Sequence, residues 1–426
     1  MDNIEFSLTP EFAHKMDQDD PLRDFRNKFY IPEKNGKQVI YFCGNSLGLQ
    51  PRSVSDYLSK DLEKWAKKGV DGHFEGDVPW IDARKPSKAQ LANLLGASEL
   101  EVVAMNSLSV NLHLLMVSFY RPKGKKYKIL TEAGAFPSDQ YILESQVKYH
   151  GFSPDKAIIE AKPRPNEHVL RTEDILELIR SHKDDLALIM FSGVQYYTGQ
   201  LFDMNAISKE AKANNIIVGF DLAHAVGNIP LQLHDWGVDF ATWCSYKYLN
   251  SGPGNVSGIF VHQKYSNDNQ LPRFAGWWGH NEEERFKMEK GFKHMQGADG
   301  WLVSNDNVLG LAAHQASLDL FAKAGIENLR RKSQLLTSYL EFAIRETISD
   351  TNSLEIITPL KPTDRGCQLS LLIQNKGKRV FDFWIEKDVV ADWRNPNVIR
   401  LAPTPMYNSF QDVYEFSQIL KNSLND

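Results

Sequence analysis

Cysteine is scarce in this chain. Only Cys43, Cys244 and Cys367 occur in 426 residues. Three thiols, odd in number and widely spaced, exclude a disulfide framework and match no metal-ligand spacing, so no metal site is expected. Reduced thiols in a cytoplasmic protein are the natural reading. Positive charge in excess is missing too. The formal net charge is -5, which gives no reason to expect nucleic acid or an anionic membrane as partner. No stretch of ~18 apolar residues exists, so no membrane span is expected. Met1 to Phe6 show neither the basic nor the apolar segment of a secretory signal. Repeats and low-complexity segments are also lacking. What remains is an ordinary globular composition, 42% hydrophobic and 24% charged, at a length that allows two or three domains.

Residues 1–50 read as a charged, loop-rich arm with Pro10, Pro21 and Pro32. Val54, Leu58, Leu62 and Trp65 recur at helical spacing, which predicts an amphipathic helix over 53–68 behind Pro51. Leu112, Leu115 and Phe119 predict another, starting near Ser109. Short apolar runs follow at 127–131, 186–191, 216–220, 240–243 and 258–262, most of them flanked by polar or helical segments. This pattern predicts an α/β domain whose mostly parallel sheet is covered on both faces. Ligand-binding residues in such sheets gather beyond the carboxyl ends of strands. Ser192 and Asp221 both stand at such ends. From about Asn307 the character changes. Leu329, Leu336, Leu340 and Ile344 mark a long helix, 367–374, 389–393 and 398–401 read as strands, and Val413, Phe416 and Leu420 mark a closing helix after Ser409. A smaller α+β domain is expected there.

Lys247 is the most informative residue. It lies in Ser245-Tyr246-Lys247, just before the tight turn Asn250-Ser251-Gly252-Pro253-Gly254. Asp221 and His224 stand at the end of the apolar run Ile216–Phe220. A strand that delivers an Asp, then a turn that delivers a Lys, is what a pyridoxal phosphate (PLP) enzyme needs. The amine forms a Schiff base with the cofactor aldehyde. The carboxylate keeps the pyridine nitrogen protonated, so the ring can accept electrons. By position alone other readings stay open. Asp221 could cap a following helix, and His224 could be structural. Arg400 could serve a surface salt bridge, Trp277-Trp278 could be a core or interface pair, and Pro137 could simply start a helix.

The segment from Asp221 to Gly254 resembles kynureninase. So do Tyr41-Phe42-Cys43-Gly44-Asn45-Ser46-Leu47-Gly48-Leu49-Gln50-Pro51, Phe136-Pro137-Ser138-Asp139, Gly276-Trp277-Trp278-Gly279-His280, and Arg394-Asn395-Pro396-Asn397 through Arg400. The matches run in family order from about residue 25 to about residue 420. The resemblance implies the aspartate-aminotransferase-type, or type I, PLP-dependent transferase fold, in which N- and C-terminal segments together form the small domain. The expected division is an arm and small-domain segment over 1–70, a large PLP-binding domain over 71–310 and a small domain over 311–426.

The resemblance also implies roles. Lys247 carries pyridoxal 5'-phosphate and later moves the Cα proton. Asp221 partners the pyridine nitrogen, and His224 faces the cofactor. Phe136 stacks on the ring, and Asp139 approaches its polar edge. Leu108 and Ser109 hold the phosphate, and Ser192, Tyr246, Trp277 and Asn305 are further contacts. Trp277 and Asn305 are expected from the second subunit of a homodimer. Tyr246 is also a candidate proton donor. Arg400 takes the substrate α-carboxylate. His73, Ser304 and Asn305 match members that prefer 3-hydroxykynurenine to kynurenine. The implied reaction is hydrolytic Cβ–Cγ cleavage in tryptophan catabolism and NAD biosynthesis. A class V aminotransferase or cysteine desulfurase of the same fold is the alternative, with Cys367 the only candidate thiol nucleophile. A non-catalytic binding protein would have no need of Lys247, Asp221 and Arg400 together.

Overall fold

The computed structural model describes residues 4–348, 354–374 and 376–425. Short runs of buried aliphatic and aromatic residues build a seven-stranded sheet. Its strands in chain order are β1 (Val102–Met105), β2 (Lys128–Glu132), β3 (Ile158–Ala161), β4 (Leu186–Ser192), β5 (Ile217–Asp221), β6 (Phe240–Cys244) and β7 (Ser257–Val261). Side by side the order is β1-β7-β6-β5-β4-β2-β3. The run from β6 to β3 is parallel, and β7 alone is antiparallel to its neighbours β6 and β1.

Successive strand residues point to opposite faces. In β4, Leu188 and Met190 enter one core while Ile189 and Phe191 enter the other. A strand apolar on both faces needs cover on both, and amphipathic helices provide it. The longer helices in chain order are α1 (Pro10–Gln18), α2 (Val54–Lys68), α3 (Lys85–Leu95), α4 (Leu108–Phe119), α5 (Pro137–Tyr149), α6 (Thr172–Ser181), α7 (Met204–Ala213), α8 (Val308–Ala324), α9 (Ile326–Thr347), α10 (Gly377–Glu386) and α11 (Phe410–Asn425). Leu112, Leu115 and Phe119 of α4 and Ile142 and Val147 of α5 cover one face. Leu91 and Leu95 of α3, Ile179 of α6 and Ile207 of α7 cover the other. Truncating one such Leu or Ile to Ala costs ~2–5 kcal/mol.

A second sheet has the order β8-β9-β11-β10, all antiparallel: β8 (Leu354–Ile356), β9 (Leu369–Ile373), β10 (Asp392–Arg394) and β11 (Val398–Leu401). Its core joins Leu336 and Leu340 of α9, Trp384 of α10 and Phe416 of α11 to Ala13, Ile40 and Phe42 from the start of the chain. The N-terminal strand Ile40–Tyr41 pairs in parallel with Val389–Val390.

Several expectations need correction. β1 and β3 were not expected; each is only four residues long and too short to carry a period. The arm contains α1, capped by the Thr9 side chain. The strand expected over 389–393 breaks at Ala391, so that its halves pair with different partners. The helix expected over 53–68 is there as α2, but its stripe is covered only in part within the chain: Val54 and Leu58 pack against Ala313 and Ala316 of α8, while Leu62 and Trp65 are exposed. Leu311, Leu318 and Phe321 of α8 belong to the large core. We therefore propose that the large and small domains divide near Gly325 rather than at 311.

Candidate active site

Neighbouring parallel strands end side by side and deliver polar groups to one place. Glu132 ends β2, Ser192 ends β4, Asp221 ends β5 and Cys244 ends β6. Ser192 and Asp221 are direct partners in the β4–β5 register. Together with Leu108, Ser109, Phe136, Asp139, His224, Tyr246 and Lys247 they line a cavity of about 170 Å³. Leu108 and Ser109 open α4, whose first-turn N–H groups suit an anion. Phe136 precedes Pro137, the first residue of α5, and Asp139 lies in that helix's first turn. Pro137 does start a helix, and Phe136 and Asp139 line the cavity as well.

Lys247 Nζ lies 3.0 Å from His224 Nε2 and 5.6 Å from the centroid of the Phe136 ring. Tyr196 meets that ring edge-on at 5.0 Å. His224 is buried, and its ring is held well below the usual imidazole range by burial, then by the charges of Lys247, Arg400 and Arg394. The ring is therefore neutral. Its Nε2 can accept from Lys247 only if Nδ1 carries the proton. Nδ1 is buried and meets no partner among the described residues.

Three carboxyl groups line the cavity with this one lysine. Asp221 accepts from the Ala223 N–H at 2.7 Å; a turn rather than a helix follows it, so it caps nothing. Burial raises its carboxyl, against the Ala223 N–H and the Lys247 charge. Asp139 is pushed up further, first by burial and then by the facing Asp221 charge. Of the two, Asp139 is therefore the readier to hold a proton and Asp221 the readier to ionise. Glu132, which the sequence reading missed, accepts from Ser192 Oγ at 2.6 Å and from the Ser192 N–H at 3.2 Å. Burial pushes it up to about 7. Its signal was available, since it closes an apolar strand just as Ser192 and Asp221 do. Burial also raises the Tyr246 phenol, with a further push from Cys244, so Tyr246 keeps its proton at neutral pH.

The N-terminal segment and the small sheet close the site. The Gly48 N–H donates to the Tyr246 carbonyl at 2.8 Å. A Cβ at Gly48 would collide with the Lys247 carbonyl and with Asn250, so the close approach requires glycine. Arg400 is buried at the edge of the site and is no surface residue. Its Nη1 donates to the Tyr196 carbonyl at 2.7 Å, and its Nη2 pairs with Asp392.

Four expected residues are not brought to Lys247 within one chain. Trp277 is exposed and donates to the Arg285 carbonyl at 3.2 Å, while Trp278 is buried in the core. Ser304 and Asn305 are exposed. His73 packs edge-on against Trp80 at 5.3 Å. None of the four lines the cavity.

A phosphorylated pyridine aldehyde suits the groups that do converge. The amine of Lys247, a readily ionised carboxyl beside one readier to hold its proton, an unmatched imidazole N–H, an aromatic face and a helix N-terminus are complementary to its separate parts. Cys367 does not suit a mobile nucleophile: it is fully buried, and burial pushes its thiol up to about 12.

Residues 40–371 match the family described as Aminotransferase class-V, and residues 329–420 the one described as Kynureninase C-terminal domain. The chain is 54% identical to Kynureninase of Flavobacterium psychrophilum, over 98% of this chain and 99% of that one. It is 46% identical to Kynureninase of Mus musculus, over 97% and 93%. Among solved structures it is similar to the apo cysteine desulfurase of Thermococcus onnurineus NA1, with a TM-score of 0.73, 16% identity and coverage of 98% and 99%. It is also similar to a C-DES mutant with glycine covalently linked to the PLP cofactor, with a TM-score of 0.76, 14% identity and coverage of 90% and 96%. At such identities the structural likeness speaks for the fold alone, the PLP-dependent transferase fold of type I.

Proposed function

The chain belongs to the kynureninase family, and from that premise we propose that it hydrolyses the Cβ–Cγ bond of L-kynurenine or 3-hydroxy-L-kynurenine. The products are anthranilate or 3-hydroxyanthranilate and L-alanine. The observation that carries the assignment of roles is the placement of Lys247 against neutral His224 and the Asp139–Asp221 pair in one cavity. When bound, pyridoxal 5'-phosphate supplies an electron sink for negative charge at the substrate's Cα and Cβ.

The chain's own residues do the rest. Lys247 is the covalent anchor and, once released, the base for the Cα proton. Asp221 would accept from the pyridine N–H, and Asp139, the readier of the two to hold a proton, would keep a second negative charge away from it. Leu108 and Ser109 would hold the phosphate at the start of α4, with Ser192 and Tyr246 as further contacts. Phe136 supplies the stacking face, and His224 lies beside the anchor. Tyr246, held neutral, keeps a proton for the carbon left by bond cleavage. Arg400 takes the α-carboxylate.

A homodimer completes this reading. Trp277, Phe286 and Phe74 form an exposed aromatic run, with Trp277–Phe286 centroids at 5.5 Å and Phe286–Phe74 at 6.2 Å. Leu62, Trp65, Val70, Val78 and Met288 are further exposed apolar residues. So much apolar surface fits an interface between subunits. A second subunit would bring Trp277 and Asn305 to the cofactor, and His73, Ser304 and Asn305 to the aryl end of the substrate. Polar groups there favour a substrate that bears the aryl hydroxyl, so 3-hydroxykynurenine is the preferred substrate. A cytoplasmic setting, supported by three unpaired cysteines, belongs to the same proposal.

Incubation with kynurenine should release fluorescent anthranilate, and with 3-hydroxykynurenine a higher kcat/KM is expected. No cleavage of either compound would overturn the assignment. A higher value on kynurenine would overturn the preference alone.

A further inference from the structure

Strand register sets two arginines and one carboxylate on the same face of the small sheet. Asp392 faces Arg400 across the β10–β11 ladder, and Arg394 lies two residues along from Asp392. Residues at that spacing share a face. One carboxylate oxygen, Asp392 Oδ2, accepts from Arg400 Nη2, from Arg394 Nη2 at 3.2 Å and from Ser46 Oγ. Ser46 Oγ in turn accepts from Arg400 Nη2 at 3.2 Å. Both guanidinium carbons lie 5.9 Å from the centroid of the Tyr196 ring. That residue lines the Lys247 cavity and packs against Phe136. The cluster therefore borders the place where substrate must sit.

Its charges do not balance. Two guanidinium groups share one carboxylate, and among the described residues neither arginine forms a second ion pair. Nor are its donors all used. The Nε–H groups of Arg394 and Arg400 are buried and meet no hydrogen-bond partner among the described residues. A charge excess and two unmade donors in a largely buried setting are costly unless something answers them. An anion would answer both. The two arginines differ in access: the Arg400 side chain is 1% exposed and that of Arg394 34%.

We propose that Arg394 is the second half of the α-carboxylate site, closing on the substrate carboxylate together with Arg400, while Asp392 is the fixed counter-ion that positions both guanidinium groups. This rests on the kynureninase reading and adds two residues to it. The charge count then sets specificity. An amino-acid carboxylate brings the cluster to neutrality, whereas an amine without a carboxylate leaves it one charge in excess.

The test uses the holoenzyme and two ligands, L-kynurenine and its decarboxylated amine. Each is read as turnover and as a dissociation constant from the absorbance of the bound cofactor. In Arg394→Gln, KM and Kd for L-kynurenine should rise ~10–100-fold, as expected for losing a charged hydrogen bond, with kcat changed far less. Binding of the amine should stay close to wild type. Arg394→Lys, which keeps the charge without the planar fork, should fall between the two. Wild-type affinity for L-kynurenine in Arg394→Gln would overturn the proposal. So would an equal loss for both ligands, which would mark Arg394 as structural. If the wild type binds L-kynurenine without cleaving it, the functional assignment fails, while the difference between the two ligands still decides whether the clamp exists.

Discussion

Replacing Glu132 by Gln should change how stability responds to pH. Glu132 is buried beneath Ser192, and burial moves its carboxyl from 4.5 to about 7. Below pH 4.5 the folded and unfolded chains both hold the proton, and the group carries no penalty. Between 4.5 and about 7 the unfolded chain releases the proton while the folded chain keeps it, so stability falls as pH rises. Above about 7 both are ionised and the loss stays at full size. A span of about 2.5 pH units at ~1.4 kcal/mol each amounts to ~3.5 kcal/mol. An unfolding entropy of ~2.1 cal/mol/K per residue over 426 residues is ~0.9 kcal/mol/K. The difference in Tm between Glu132→Gln and wild type should therefore move by ~4 °C in the variant's favour from pH 4.5 to pH 8. Calorimetry of the cofactor-free protein across that range measures it. Parallel Tm profiles for the two proteins would refute the reasoning, because they would mean that Glu132 titrates alike in the folded and unfolded chains.

Lys247→Ala should lose both turnover and the visible absorbance of a cofactor held through its aldehyde, and borohydride should fix no label to it. Tyr246→Phe should keep the absorbance and lose ~10²–10⁴-fold in kcat if the phenol is a general acid; an unchanged kcat removes it from that role. Cys367→Ser should turn over kynurenine much as wild type does, since the thiol is buried and poorly ionised. Trp65→Glu, placed on the uncovered part of the α2 stripe, should shift sedimentation from dimer toward monomer and lower activity with it. An unaltered sedimentation profile would free that stripe from the interface.

The large sheet was legible because its longer strands are apolar on both faces and end in polar residues. That pattern put Ser192 and Asp221 at strand ends, and the register makes them neighbours. β1 and β3, four residues each, leave no comparable trace. The pairing of Asp392 with Arg400 was out of reach for a different reason. It depends on how two strands align across a reverse turn, and the break at Ala391 that sends Val389–Val390 to another partner is a tertiary choice. Helical spacing showed α2 and its stripe correctly, but not what the stripe faces. Leu62 and Trp65 have the pattern of a buried face without a cover inside the chain. His73, Trp277, Ser304 and Asn305 were named through resemblance alone, and nothing in one chain's packing draws them toward Lys247.

The contact between Gly48 and the Tyr246 carbonyl has a consequence for biogenesis. Ser46 near one terminus and Arg400 near the other also meet, at 3.2 Å. A ribosome-bound chain that has emerged as far as Lys247 already has the strands beneath that lysine, but lacks the wall contributed by Arg400. Domains form as units during synthesis, yet this chamber takes its sides from both. The corner around Arg400 is thus completed after the groups around Lys247, once the tail has docked onto the head.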